Sequence, residues 1–89
     1  MSYIIKYTDD ANEDIERLKK GGNKQVLKKL RDLLLEIEEH PRTGTGRVEQ
    51  LKHFKEETWS RRINGEHRLV YSINDDVVEV LLLSAYGHY

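Results

Sequence analysis

The sequence predicts an α+β fold in which two N-terminal helices pack on one face of a small twisted antiparallel sheet. Three observations predict it: helical apolar spacing in the first half, strand-like segments in the second half, and an Asn64-Gly65 pair between two of those segments. With 89 residues and 37% hydrophobic content, the chain suits a single compact domain spanning residues 1–89.

The first predicted elements are a strand and a helix. Residues 3–7 alternate aromatic and aliphatic side chains, which predicts a strand. Thr8, followed by two aspartates, is typical of a helix N-cap with acids in the first turn. Ala11, Ile15 and Leu18 fall on one face of this helix, and Gly21-Gly22 ends it.

A second helix is predicted over residues 23–39. Its apolar residues form one stripe of an amphipathic helix: Val26, Leu27, Leu30, Leu33, Leu34 and Ile37. Pro41 prevents the helix from continuing. Two successive helices joined across a glycine pair predict a helical hairpin.

The rest of the chain predicts a polar loop followed by strands. The loop covers residues 42–47, and predicted strands follow at 49–52, 59–63, 67–73 and 77–85, with a turn at 74–76. The last strand is almost wholly apolar, which is typical of a central strand covered on both faces.

The hairpin around Asn64-Gly65 leaves one alternative open. A two-residue turn places Arg61 opposite Arg68, whereas a three-residue loop places Arg62 opposite Arg68. One residue of register moves a side chain to the other face of the sheet. Two facing arginines repel each other, so a carboxylate or phosphate should lie between them, and Glu66 is the expected partner without substrate.

Composition limits the classes of function. The net charge is −1, but residues 42–68 contain seven Lys/Arg and four Asp/Glu, a local charge of +3 that favours phosphate binding. The absence of cysteine excludes disulfides and thiolate metal sites. No apolar run is long enough to span a membrane and no signal peptide is evident, so a cytoplasmic protein without membrane association is expected.

The residue types suit RNA cleavage by internal transfer. This reaction needs a base for the 2′-OH, a cation for the phosphate and an acid for the leaving oxygen. His88 is the candidate acid, although residues this near a terminus are often frayed. His53 and His67 are expected at the surface, and no histidine spacing typical of a metal site occurs, so no metal or cofactor is expected.

The run W-S-R-R-I-N-G-E-H-R-L-V-Y at 59–71 and the final His88-Tyr89 resemble the YoeB/Txe branch of the RelE/ParE toxin superfamily. The resemblance extends from about Gly44 to Tyr89. It implies the toxin of a type II toxin–antitoxin system, with a RelE-like fold. It also implies a ribosome-dependent endoribonuclease that cuts mRNA in the ribosomal A site and inhibits translation.

The resemblance also implies roles for individual residues. Glu49 corresponds to the general base and His88 to the general acid. The remaining implied residues are the charge stabilisers Arg68, Arg62 and Lys52 and the supporting Glu66 and Tyr89. The chain departs from the commonest pattern at Val48 and Gln50, where prolines flank the glutamate in the best-known member, so the loop carrying Glu49 is expected to be less rigid.

The implied partners are a cognate antitoxin of the YefM/Phd type, the ribosome with its mRNA, and a second copy of the chain in a homodimer. Two other functions compete with the nuclease. One is a non-catalytic ParE-like inhibitor of DNA gyrase, whose members lack the Glu/Arg/His set. The other is an RNA-binding module with an inert tail, in which His88→Ala would change nothing.

Overall fold

The computed structural model describes residues 2–87 and has an α+β architecture, as the sequence predicts. Two helices pack against a five-stranded sheet. In chain order the elements are β1 (Ile4–Tyr7), α1 (Asp9–Gly21), α2 (Lys24–Glu39), β2 (Glu49–Leu51), β3 (Thr58–Arg62), β4 (Arg68–Asn74) and β5 (Glu79–Ser84).

Both helices begin and end where local side-chain chemistry requires it. The Thr8 hydroxyl accepts a hydrogen bond from the Ala11 amide at 3.1 Å and caps α1. Gly22 ends α1 in the left-handed conformation at φ 70°, with its N–H bonded to the Lys19 carbonyl. The Asn23 side chain caps α2 in the same manner as Thr8 caps α1. The predicted helical hairpin is confirmed.

The sheet has the strand order β1-β5-β4-β3-β2 and is mixed rather than wholly antiparallel. Strands β2 to β5 pair antiparallel, but β1 lies parallel to β5, with Ile4 opposite Glu79 and Tyr7 opposite Leu82. The prediction of a purely antiparallel sheet was wrong at this edge. No hairpin connects β1 to β5, and the long intervening chain allows the crossover that a parallel pair needs.

The last strand also starts later than predicted. Val77 and Val78 belong to the turn after β4, where Val78 has a φ of 54° and its N–H bonds to the Asp75 carbonyl at 3.3 Å. The strand proper begins at Glu79 and is central in the sheet, as predicted. The expectation that both of its faces are covered was wrong, because Leu81 is 39% exposed.

The core lies between the helices and one face of the sheet. Its sheet residues alternate along the strands, as the two-residue period of a strand requires. The buried core residues are Ala11, Leu18, Val26, Leu30, Leu33, Ile37, Ile63, Leu69, Tyr71, Ile73, Val80, Leu82 and Ala85. The other face of β2, β3 and β4 has no helix against it, and Glu49, Ser60, Arg62 and Arg68 lie on it. No helix within residues 2–87 has the length and apolarity to cross a membrane.

Candidate active site

Three neighbouring strands bring the predicted cations and carboxylate onto one face of the sheet. In the observed register Glu49 of β2 pairs with Ser60 of β3, and Arg62 of β3 pairs with Arg68 of β4. Directly opposed residues in an antiparallel pair share a face, and so do residues two apart on a strand. Glu49, Arg62 and Arg68 therefore project from the face that the helices leave open.

This register settles the alternative that the sequence left open. The Ile63 amide bonds to the His67 carbonyl at 2.9 Å, which closes a three-residue loop and places Arg62 opposite Arg68. Arg61 pairs with Leu69 and points to the opposite, helix-covered face.

A polar cavity of about 340 Å³ lies on the open face. Three guanidinium groups and one carboxylate share its lining, which comprises Arg47, Val48, Glu49, Ser60, Arg62 and Arg68. Guanidinium groups bind phosphate oxygens through paired N–H donors, so this lining suits a phosphodiester.

Within the cavity, Glu49 is the carboxylate that faces the arginine pair. Its Oε1 lies 3.7 Å from the nearest Arg68 nitrogen, and the Glu49 side chain is 64% exposed against 28% for Arg68. The expectation that Glu66 would serve as this partner was wrong: its side chain is 74% exposed, and its carboxylate lies 3.8 Å from Nε2 of His67 instead. An accessible carboxylate next to a cation can accept a proton from a substrate hydroxyl held at the same cation.

Arg47 is a cavity residue that the sequence reasoning missed. It has a φ of 52°, an unusual conformation for a residue with a side chain, and it follows Gly46 at 91°. The Gly46 carbonyl accepts a hydrogen bond from the Arg62 amide, which ties this loop to β3. The sequence feature that could have indicated Arg47 is its position between the glycine loop and the strand that carries Glu49.

Arg61 holds the loop that leads into the cavity. Its fully buried guanidinium donates to the Tyr71 hydroxyl at 2.9 Å and to the Thr43 carbonyl at 2.8 Å, and it forms an ion pair with Glu36 of α2. It also donates to the carbonyls of His40 and Thr45. A buried charge with this many partners has a structural role.

The groups around Arg61 have shifted pKa values. The Glu36 carboxylate accepts a hydrogen bond from the backbone N–H of Thr45, and this bond, helped by Arg61, lowers its pKa. Burial raises the pKa of the Tyr71 hydroxyl, which donates to the Pro41 carbonyl at 2.7 Å. Glu36 is therefore ionised and Tyr71 neutral near neutral pH, as their hydrogen bonds require.

A larger cavity, of about 650 Å³, is lined by residues of β1 and the two helices, and it shares no lining residue with the arginine cavity. Its lining is largely apolar with lysines at the rim and includes no carboxylate or imidazole. The smaller cavity on the open sheet face combines a carboxylate with three arginines, so it is the better candidate for cleavage of a phosphodiester.

Comparisons with known proteins identify the family of this chain. The family model described as "YoeB-like toxin of bacterial type II toxin-antitoxin system" matches residues 7–89. This chain belongs to the YoeB-like toxin family.

Individual relatives extend the match. The Toxin YoeB of Escherichia coli K12 is 40% identical over 67 residues, covering 75% of this chain and 77% of the relative. The YoeB dimer from Staphylococcus aureus superposes with a TM-score of 0.84 at 33% identity, covering all of both chains. The YoeB–YefM complex from Staphylococcus aureus gives 0.79 at 34% identity, with the same full coverage.

Two further predicted site residues of this YoeB-like toxin, Lys52 and Glu66, are not part of the cavity lining. Lys52 follows β2 and lines an adjacent hollow of about 430 Å³. Glu66 lies exposed in the loop between β3 and β4. His88 and Tyr89, the predicted acid and its neighbour, lie outside the described residues.

The expectation that His67 lies at the surface was wrong. Its side chain is 9% exposed, and its ring packs 4.4 Å from the ring of Tyr86. His53 is exposed, as predicted.

Proposed function

We propose that this YoeB-like toxin is a ribosome-dependent endoribonuclease that cuts mRNA in the ribosomal A site and so inhibits translation. The observation that carries the proposal is the convergence of Glu49, Arg62 and Arg68 in one cavity on the helix-free face of the sheet. A base and two phosphate-binding cations within one cavity match two of the three tasks of RNA cleavage by internal transfer.

In the proposed reaction Glu49 takes the proton of the ribose 2′-OH. The 2′ oxygen then attacks the adjacent phosphorus, the bond to the 5′ oxygen breaks, and His88 gives a proton to that leaving oxygen. The products are a 2′,3′-cyclic phosphate and a free 5′-OH. These proton transfers are made by side chains, and the proposal assigns no step to a metal or cofactor.

The cations have separate tasks in this proposal. Arg62 and Arg68 face each other across β3 and β4, so they flank a phosphate from two sides and stabilise its growing charge. Arg47 lines the same cavity and binds an adjoining part of the substrate. Lys52, in the neighbouring hollow, contacts the backbone of the message further along, and Glu66 and Tyr89 support the substrate at the margin.

We also propose that the chain binds a YefM-like antitoxin and forms a homodimer. The support comes from relatives of full coverage, which have been solved as a YoeB–YefM complex and as a YoeB dimer.

The nuclease proposal is tested by primer extension on a message translated in a purified bacterial system. Wild-type protein is compared with Glu49→Gln and Arg68→Ala, and with Lys20→Ala, an exposed cation on α1, as a matched control. We expect ribosome-dependent cuts with wild type and Lys20→Ala, and a loss of about 10²–10³ in rate for the two cavity variants. An intact message with wild type contradicts the proposal, and a gyrase assay would then test the ParE-like alternative.

A further inference from the structure

Side chains from α1 and from the hairpin hold the segment that follows β5. The Ala85 amide donates to the Asp14 carboxylate at 3.0 Å. The Arg17 guanidinium carbon lies 4.9 Å from the centre of the Tyr86 ring. The Tyr86 ring also packs against the ring of His67, so the segment lies between α1 and the loop before β4.

His67 also binds the backbone of Gly87, through its Nδ1 atom. The Gly87 amide donates a hydrogen bond of 2.9 Å to His67 Nδ1, while the Gly87 carbonyl accepts one of 3.0 Å from the Arg68 amide. Both backbone polar groups of Gly87 are thus bound by consecutive residues of the hairpin.

The hydrogen bond at Gly87 fixes the state of the imidazole. Nδ1 can accept only when it carries no proton, so the ring proton of neutral His67 lies on Nε2. The Glu66 carboxylate, 3.8 Å from Nε2, favours this tautomer.

The hydrogen bonds that hold Gly87 lie beside the cavity. Arg68 binds Gly87 with its backbone N–H, while its side chain lines the cavity with Arg62 and Glu49. His88 follows Gly87 in the sequence, one peptide bond away.

We infer that His67 is a positioning residue, which holds the Gly87 backbone beside Arg68, one residue before His88 in the sequence. The inference rests on the proposed function, in which His88 is the acid. A proton donor displaced by about 1 Å can cost 10²-fold in rate, so anchoring one residue before the acid has a direct kinetic consequence.

Two substitutions separate the acceptor atom of His67 from its ring. His67→Phe keeps a ring against Tyr86 but leaves the Gly87 amide without its acceptor. His67→Asn loses the ring but places an amide oxygen close to the position of Nδ1. Should the phenylalanine variant fail to fold, His67→Gln, which places its polar end near the Nε2 position, replaces it.

The kinetic test is single-turnover mRNA cleavage on saturating ribosomes, with ribosome affinity measured in parallel. We expect His67→Phe to cleave at least about 10-fold more slowly than wild type, while its ribosome affinity stays within about twofold. His67→Asn should stay within about threefold of wild type in both cleavage rate and ribosome affinity. Equal cleavage by His67→Phe and wild type, or equal losses in both variants, would overturn the positioning role.

Amide hydrogen exchange at Gly87 tests the anchor without any use of RNA. In His67→Phe we expect exchange about 10-fold faster than in wild type, while His67→Asn stays close to wild type. Unchanged exchange in His67→Phe overturns the anchor itself. Absence of cleavage by wild type would instead refute the proposed nuclease, and the exchange result would still decide whether His67 holds Gly87.

Discussion

Arg61 and Arg62 are adjacent arginines with opposite environments, and this difference predicts opposite effects of the same substitution. Arg61 is fully buried against the helices, whereas Arg62 lines the cavity on the open face. Methionine replaces either arginine with an apolar chain of similar reach that has no charge and no N–H donors. We expect Arg61→Met to destabilise the fold and Arg62→Met to impair RNA cleavage.

The magnitude for Arg61 follows from its partners. Removing the guanidinium leaves the Tyr71 hydroxyl without its donor, strips the Thr43 carbonyl of its hydrogen bond at 2.8 Å, and leaves Glu36 without its cation. A buried hydrogen-bonding group left without its partner costs about 1–3 kcal/mol, and Arg61 has several such partners, so we expect a loss of about 3–5 kcal/mol in total. A domain of this size has a free energy of unfolding of about 5–15 kcal/mol, so the loss is a large fraction of the total.

Urea unfolding followed by tryptophan fluorescence measures the effect. With an m value of about 1.5 kcal/mol/M, we expect the midpoint of Arg61→Met to fall by about 2–3 M. Arg62→Met is the matched control, with a change within about 1 kcal/mol and a cleavage rate lowered by about 10²-fold. Equal stability of Arg61→Met and wild type, or an equal loss in both variants, would refute the assignment of the two arginines to opposite faces.

Two further predictions concern the loop after α2 and the response to acid. Gly44 has a φ of 132°, and a methyl group there would collide with the Glu36 carboxylate. We therefore expect Gly44→Ala to lower the free energy of unfolding by about 2 kcal/mol or more. Gly65 has open space around it, so Gly65→Ala is the control and should change the urea midpoint little. Hydrogen bonds from Arg42 lower the pKa of Glu57, so the resulting stability is present above the unfolded pKa of about 4.3 and is lost as the pH falls through the lower folded value. Unfolding free energies measured from pH 7 to pH 3 should decline less steeply in Glu57→Gln than in wild type, and identical slopes would contradict this role.

The helices were predictable because their signals are local. The cap at Thr8, the glycines at the end of α1 and the apolar stripe of α2 lie within a few residues of the elements they define. The hairpin was predictable for the same reason, although the face of each arginine depended on one residue of register. The sequence therefore left two alternatives for the cavity lining, with either Arg61 or Arg62 opposite Arg68.

The features that the sequence did not predict depend on contacts between distant residues. The parallel pairing of β1 with β5 joins residues more than 70 positions apart. His67 is buried because the segment after β5 returns across the hairpin, which no local pattern near His67 indicates. The buried partners of Arg61 likewise come from α2 and the loop after it, so sequence spacing could not distinguish a structural arginine from a substrate-binding one.

The most direct test of the central claim is the rate of a single ribosome-bound cleavage with wild-type protein and with His88→Ala at equal ribosome occupancy. The account predicts that wild type cuts the message on the ribosome and that His88→Ala binds normally but cuts about 10²–10⁴-fold more slowly. Equal cutting by both proteins would contradict the role of the C-terminal histidine. An uncut message with wild type would contradict the nuclease itself.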